Sequence, residues 1–124
     1  MIERRLARSI QVGGVTVGGT APVIVQSMTN TDTRNTSATV DQIARLASLG
    51  CEIVRIAVPD MQAAQTLAEI KKGSSIPIIA DIHFDYRLAL AAMESGVDQV
   101  RINPGNIGDD DRVRAVVNAA KDRN

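Results

Sequence analysis

Two short stretches repeat one pattern, Gly-x-acid-x-Val-Arg-Ile: Gly50-Cys51-Glu52-Ile53-Val54-Arg55-Ile56 and Gly96-Val97-Asp98-Gln99-Val100-Arg101-Ile102, offset by 46 residues. Each sets one arginine, Arg55 or Arg101, between apolar neighbours. Between the copies falls Asp81-Ile82-His83, and directly after the second comes Asn103-Pro104-Gly105-Asn106-Ile107-Gly108. Guanidiniums recognise carboxylates and phosphates through paired N–H donors, so this set points to an anion site. Two readings stand side by side. Asp81 neutralises the arginines in a purely structural Arg-Asp-Arg cluster, or a phosphorylated ligand shares the work. His83 admits three roles: a metal ligand with Asp81, a core histidine, or a hydrogen-bond donor or acid toward a ligand. Metal ligation is the weakest of these, because His83 is the only histidine, two ligands are too few, and nearby arginines repel a cation. The Asn103–Gly108 segment lacks the glycine spacing of a P-loop or dinucleotide fingerprint, and reads as a turn whose glycines let backbone approach a ligand.

These residues need strands to aim them. From Pro22 onward, short apolar runs alternate with amphipathic stretches, the signature of βα units around a parallel sheet. Four units are expected. Their strands are Val23 to Met28, Ile53 to Val58, Pro77 to Asp81 and Gln99 to Asn103. Their helices run from about Ser37 to Leu49, from beyond Pro59-Asp60 to Lys71-Lys72-Gly73, from about Asp85 to Ser95, and onward from Asp109-Asp110-Asp111. Asn35, Thr36 and Ser37 are candidate caps of the first helix, and Gly50 and Gly96 close the first and third. Thr29 to Thr36 is a long polar loop, read either as a flap or as a mobile connection. Before the units, Ser9 to Gly19 reads as a hairpin turning on Gly13-Gly14.

Side chains alternate along a strand, so Val54 and Ile56 face one way and Arg55 the other. The same parity groups Val100 with Ile102, Gln99 with Arg101 and Asn103, Ile79 with Asp81 and His83, and Gln26 with Met28. In an α/β barrel the apolar set packs against the outer helices and the other set faces the lumen. Functional groups collect at the C-terminal strand ends, with alternate strands sharing a layer, so Arg55 and Arg101 are expected to converge.

A chain of 124 residues holds one compact core but falls short of the roughly 200 residues a closed barrel needs, so the expected fold is α/β, an incomplete TIM (β/α)₈ barrel. Fourteen basic and fourteen acidic residues cancel, leaving no global field to attract nucleic acid or an anionic membrane. With one Tyr, one Phe and no Trp, stacking on bases is implausible and the core must be aliphatic. No apolar run is long enough to span a bilayer, and Met1-Ile2-Glu3-Arg4-Arg5 leads into no signal-peptide core, so a cytoplasmic protein is expected. The lone Cys51 cannot form an intramolecular disulfide and reads as a small hydrophobe.

Val25-Gln26-Ser27-Met28-Thr29-Asn30-Thr31, Ile53-Val54-Arg55, Ala80-Asp81-Ile82-His83-Phe84-Asp85-Tyr86-Arg87 and Arg101-Ile102-Asn103-Pro104-Gly105-Asn106-Ile107-Gly108 resemble the N-terminal TIM-barrel domain of the 4-hydroxy-3-methylbut-2-enyl diphosphate synthases. The resemblance spans nearly the whole chain. It implies an iron–sulfur oxidoreductase of the non-mevalonate isoprenoid pathway that reductively opens 2-C-methyl-D-erythritol 2,4-cyclodiphosphate. It also implies Arg55 and Arg101 as diphosphate-binding residues, with Asp81, His83 and Asn103 beside them, and ferredoxin or flavodoxin as electron donor; separately, the unpaired edges of a four-stranded sheet lead to the expectation of a homodimer. Arg87 belongs to the matched motif, with a surface role equally open. The family's [4Fe–4S] cluster is held by a separate C-terminal domain, so its ligands fall outside residues 1–124 and no bound cluster is expected here. The chain is therefore read as the N-terminal portion of a TIM-barrel domain, inactive alone and with no catalytic residue assigned. Two other readings are a pterin-binding transferase, whose barrel also places Asp and Asn at strand ends, and a ligand-free half-barrel assembly module.

Overall fold

A computed structural model describes residues 2–123; Met1 and Asn124 lie outside them. The chain opens with an antiparallel hairpin, β1 (Ile10–Val12) and β2 (Val15–Val17), whose register pairs Val12 with Val15 across Gly13-Gly14. Of the two glycines only Gly13 takes positive φ, at +57°.

Four βα units follow. They are β3 (Gln26–Met28) with α1 (Thr36–Ser48), β4 (Ile53–Ala57) with α2 (Met61–Gly73), β5 (Ile78–Ile82) with α3 (Tyr86–Glu94), and β6 (Gln99–Ile102) with the one-turn α4 (Pro104–Ile107) and α5 (Asp110–Asp122). The sheet order is β3-β4-β5-β6 and every pairing is parallel. Each crossover therefore returns to the adjacent position, the winding that curls a sheet toward a barrel. Four strands leave it open, with β3 and β6 as edges.

The strands sort their side chains as alternation requires. Val54, Ile56, Val58, Ile78, Ala80 and Ile82 pack against the helices in one core. The helix side of that core is thin, since Ala63, Ala64, Ala89 and Ala92 are all fully buried and let α2 and α3 lie close to the sheet. On the opposite face Ile53 and Ile79 are buried not by a helix but by Val12 of the hairpin. The hairpin thus covers the N-terminal ends of β4 and β5. A Cβ at Gly13 would sit 2.8 Å from Pro77 Cγ and 3.0 Å from Asp98 Oδ1, so the turn presses directly on the chain entering β5 and β6. Asp98 fastens the same end by accepting from Lys71 Nζ at 2.5 Å and from the Ile78 amide at 2.8 Å.

Capping follows the polar residues. Asn35, Asp60, Asp85 and Asp109 each accept a backbone N–H from the first turn of α1, α2, α3 and α5. Two expectations change. The first strand is only Gln26–Met28, because Val23 is 95% exposed and Val25 is held irregularly, its carbonyl accepting from the Glu52 amide at 2.8 Å. The segment after β6 is a helical turn rather than an open loop, since Asn103 caps it and Pro104 is at its first position.

Candidate functional site

Strand register builds the charged centre. Asp81 of β5 lies opposite Arg101 of β6 on one side and Ala57 of β4 on the other, while Arg55 pairs with Ile79. Arg55 is therefore one side-chain layer nearer the hairpin than Asp81 and reaches up to it. Arg101 Nη1 donates to Asp81 Oδ1 at 3.1 Å, and Arg55 Nε lies 3.0 Å from Oδ2. The second contact is an ion pair without hydrogen-bond geometry, which leaves Arg55 Nε and Asp81 Oδ2 buried and without a hydrogen-bond partner.

Burial is unequal across this trio. Asp81 is fully buried, while the side chains of Arg55 and Arg101 are 34% and 43% exposed. One carboxylate between two guanidiniums leaves a net positive charge, carried by the two groups that reach solvent. Their remaining N–H donors make no hydrogen bond among the described residues. Such a centre suits a bidentate anion, because Asp81 already holds one edge of each guanidinium.

His83 and Asn103 stand one residue past the ends of β5 and β6, exposed to solvent. The Asn103 carbonyl oxygen Oδ1 is occupied by the Gly105 amide at 3.0 Å, leaving its NH₂ as the outward group. The His83 ring lies near that of Phe84, with centroids 6.2 Å apart. No hydrogen bond joins either residue to the trio. The strands thus bring Arg55, Asp81 and Arg101 together and set His83 and Asn103 at the rim. Arg87 is turned back on its own helix cap, donating to Asp85 through Nε at 3.0 Å and Nη2 at 2.7 Å. That guanidinium holds the Asp85 carboxyl below the usual carboxylate range.

The Thr29–Asn35 loop is pinned rather than free. The Thr29 amide donates to the Arg55 carbonyl at 3.1 Å, and the Asn30 amide to Gln42 Oε1 at 2.9 Å. Thr31 and Thr39 hydroxyls are 2.8 Å apart, and the buried Thr33 hydroxyl donates to the Ala57 carbonyl at 2.6 Å. Arg34 grips Asp32 at 2.9 Å and reaches Asp60 at 3.4 Å, and its hydrogen bonds lower the Asp32 pKa. These ties escape a reading by periodicity; the density of hydroxyl and acid residues in the loop was the available signal.

Cys51 does not fit an iron–sulfur cluster. Its buried thiol donates to the Ile53 carbonyl at 3.1 Å, at the strand end opposite the charged centre. Among the described residues no group of three or more His, Cys, Asp or Glu side chains is placed to hold a metal. Nor is any described helix long and apolar enough to cross a membrane.

Adjacent parallel βα units, with the lumen side lined by polar residues at the C-terminal strand ends, define a TIM-barrel type of α/β domain. Residues 7–124 match the family model described as the GcpE TIM-barrel domain, and the chain belongs to that family. Its relatives include proteins named 4-hydroxy-3-methylbut-2-en-1-yl diphosphate synthase (flavodoxin). That of Dehalococcoides mccartyi strain BAV1 is 59% identical over 123 residues, covering 99% of this chain and 35% of the relative. Those of Maridesulfovibrio salexigens and Pseudomonas entomophila are 60% and 62% identical, covering 100% and 98% of this chain but 35% and 33% of theirs. The chain thus spans about a third of the length of these relatives. Family membership sets the pterin-transferase reading aside.

Proposed function

We propose that this chain supplies the diphosphate-holding part of a 4-hydroxy-3-methylbut-2-enyl diphosphate synthase, acting on 2-C-methyl-D-erythritol 2,4-cyclodiphosphate. The observation that carries the reading is the Arg55–Asp81–Arg101 centre, in which one buried carboxylate orients two partly exposed guanidiniums and leaves their charge unbalanced. Arg55 and Arg101 donate to the diphosphate oxygens, Asp81 keeps both planes in place, and His83 and the Asn103 amide supply further donors from the rim.

Reduction requires electrons that these residues do not supply; in the family a [4Fe–4S] cluster provides them, and no step is assigned to Cys51. Ferredoxin or flavodoxin is the proposed donor, flavodoxin being the one in the relatives' printed name. The proposed assembly is a homodimer, supported by the open edges β3 and β6 and by an apolar cavity of about 680 Å³ beside β6, lined by Val97, Val100, Ile102, Val116 and Val117. A cytoplasmic setting is part of the proposal and suits a lone reduced thiol.

Calorimetric titration of a protein containing this domain at full length with the cyclodiphosphate tests the reading. Arg101→Ala is expected to weaken binding by at least about tenfold, the order of one charged hydrogen-bonding partner. Unchanged affinity would remove the site assignment.

A further inference from the structure

We infer that Thr33 is a positioning residue for Arg55, completing the edge of β4 where the sheet's own ladder runs out. The inference rests on the diphosphate reading only for what Arg55 is held in place to do.

In a parallel strand, the N–H and C=O of one residue point to the same neighbour. Val54 and Val58 bond toward β5, through the Pro77 and Asp81 carbonyls, so Arg55 and Ala57 point toward β3. Arg55 finds its donor there, the Thr29 amide at 3.1 Å. Ala57 does not find a backbone donor, because β3 ends at Met28 and the chain turns away. The Thr33 hydroxyl fills that place, 2.6 Å from the Ala57 carbonyl and only 3% exposed as a residue. A side chain thereby extends the ladder by one bond, over the two residues that carry Arg55 and face Asp81.

Thr33 is itself held from behind. Its carbonyl lies 3.1 Å from the Thr66 hydroxyl of α2, which it shares with the Ala63 carbonyl at 2.7 Å. Next to it, Arg34 ties the loop to Asp60, which caps α2 by accepting the Ala63 amide at 2.8 Å. The loop is thus clamped to both the strand that bears Arg55 and the helix that follows it. Without the hydroxyl, the Ala57 carbonyl would lose its donor at the point where Arg55 must lean one layer up to reach Asp81.

The test compares Thr33→Val, Thr33→Ser and the unaltered chain by NMR, following solvent exchange of the Arg55 Nε–H. An Ile70→Val variant, altered in the core on the helix side, serves as a control for general loosening. Thr33→Val is expected to speed exchange of the Arg55 Nε–H, which is buried against Asp81, by about tenfold, the order expected when a buried acceptor loses its donor, while Thr33→Ser restores the rate of the unaltered chain. Equal exchange in Thr33→Val and the unaltered chain, or equal acceleration in Ile70→Val at a matched fall in Tm, would overturn the inference. A parallel titration with inorganic diphosphate separates the two claims. Absence of binding to the unaltered chain counts against the diphosphate reading, whereas Arg55 exchange decides the role of Thr33 either way.

Discussion

Asp81 stands directly opposite Arg101 in the β5–β6 register, and its Oδ1 accepts from Arg101 Nη1 at 3.1 Å while Oδ2 turns to Arg55 on the other side. A single buried carboxylate thus organises two guanidiniums from the two strands that flank it. Removing its charge uncovers their mutual repulsion. Asp81→Asn is expected to destabilise the fold by about 1–3 kcal/mol, less than a wholly buried triad because both arginines reach solvent. Urea denaturation measures it, and a loss below a few tenths would show that the arginines do not depend on Asp81.

In the proposed site, Arg55 and Arg101 would serve through the shape of their donors as well as through charge. Lysine keeps the charge but cannot present two parallel N–H groups. Arg101→Lys is accordingly expected to recover only a minor part of the diphosphate affinity lost in Arg101→Ala, measured by calorimetry. Full recovery would mean that the centre acts as a simple point charge.

Gly13 and Gly14 are neighbours with opposite expectations. Gly13 has φ +57° and a Cβ there meets Pro77 at 2.8 Å, whereas a Cβ at Gly14 meets nothing within 4 Å. Gly13→Ala should lower stability by about 1–3 kcal/mol through strain and overpacking. Gly14→Ala should leave it nearly unchanged. Thermal unfolding of the two variants checks the contrast.

Acid weakens two local clamps in a defined direction. The Asp32 and Asp85 carboxyls are held below their ordinary value, first by side-chain hydrogen bonds from Arg34 and Arg87. A depressed folded pKa gives stabilisation that is fully present above the unfolded carboxylate pKa and disappears as pH falls through the folded one. NMR titration should place both carboxyls below the ordinary aspartate value of 3.8, and Arg34→Ala should return Asp32 toward it. An Asp32 titration insensitive to Arg34→Ala would rule out that cause.

The open edges carry an expectation of their own. Val23, Val25 and Met28 are exposed around β3 and Leu49 past the end of α1, while an apolar cavity flanks β6. Light scattering of the 124-residue chain should report a dimer or larger species, since unpaired parallel edges beside apolar surface favour association. A stable, well-dispersed monomer would contradict the homodimer proposal for this chain.

Much of the arrangement is legible in the residues themselves. Val54-Arg55-Ile56 and Val100-Arg101-Ile102 carry their own alternation, which assigns each arginine to the face away from the helices, and the structure keeps that assignment. His83 and Asn103 are less legible, because β5 and β6 stop one residue before them and parity ceases to govern direction there. Asn103 then follows turn chemistry and caps α4. The hydrogen bond from Thr33 to Ala57 leaves no periodic trace at all, since its partners are 24 residues apart and only the early end of β3 creates the need for it. Val23-Ile24-Val25 shows the reverse error, a strongly β-prone run tied to the entry of β4 through Val25 but left outside the ladder.

The hairpin has a consequence for traffic. With β1 and β2 seated over Ile53 and Ile79, the inner face of the open sheet is stoppered at its floor. A diphosphate bound as proposed would reach Arg55 from the side away from the hairpin, toward the rim that bears His83 and Asn103.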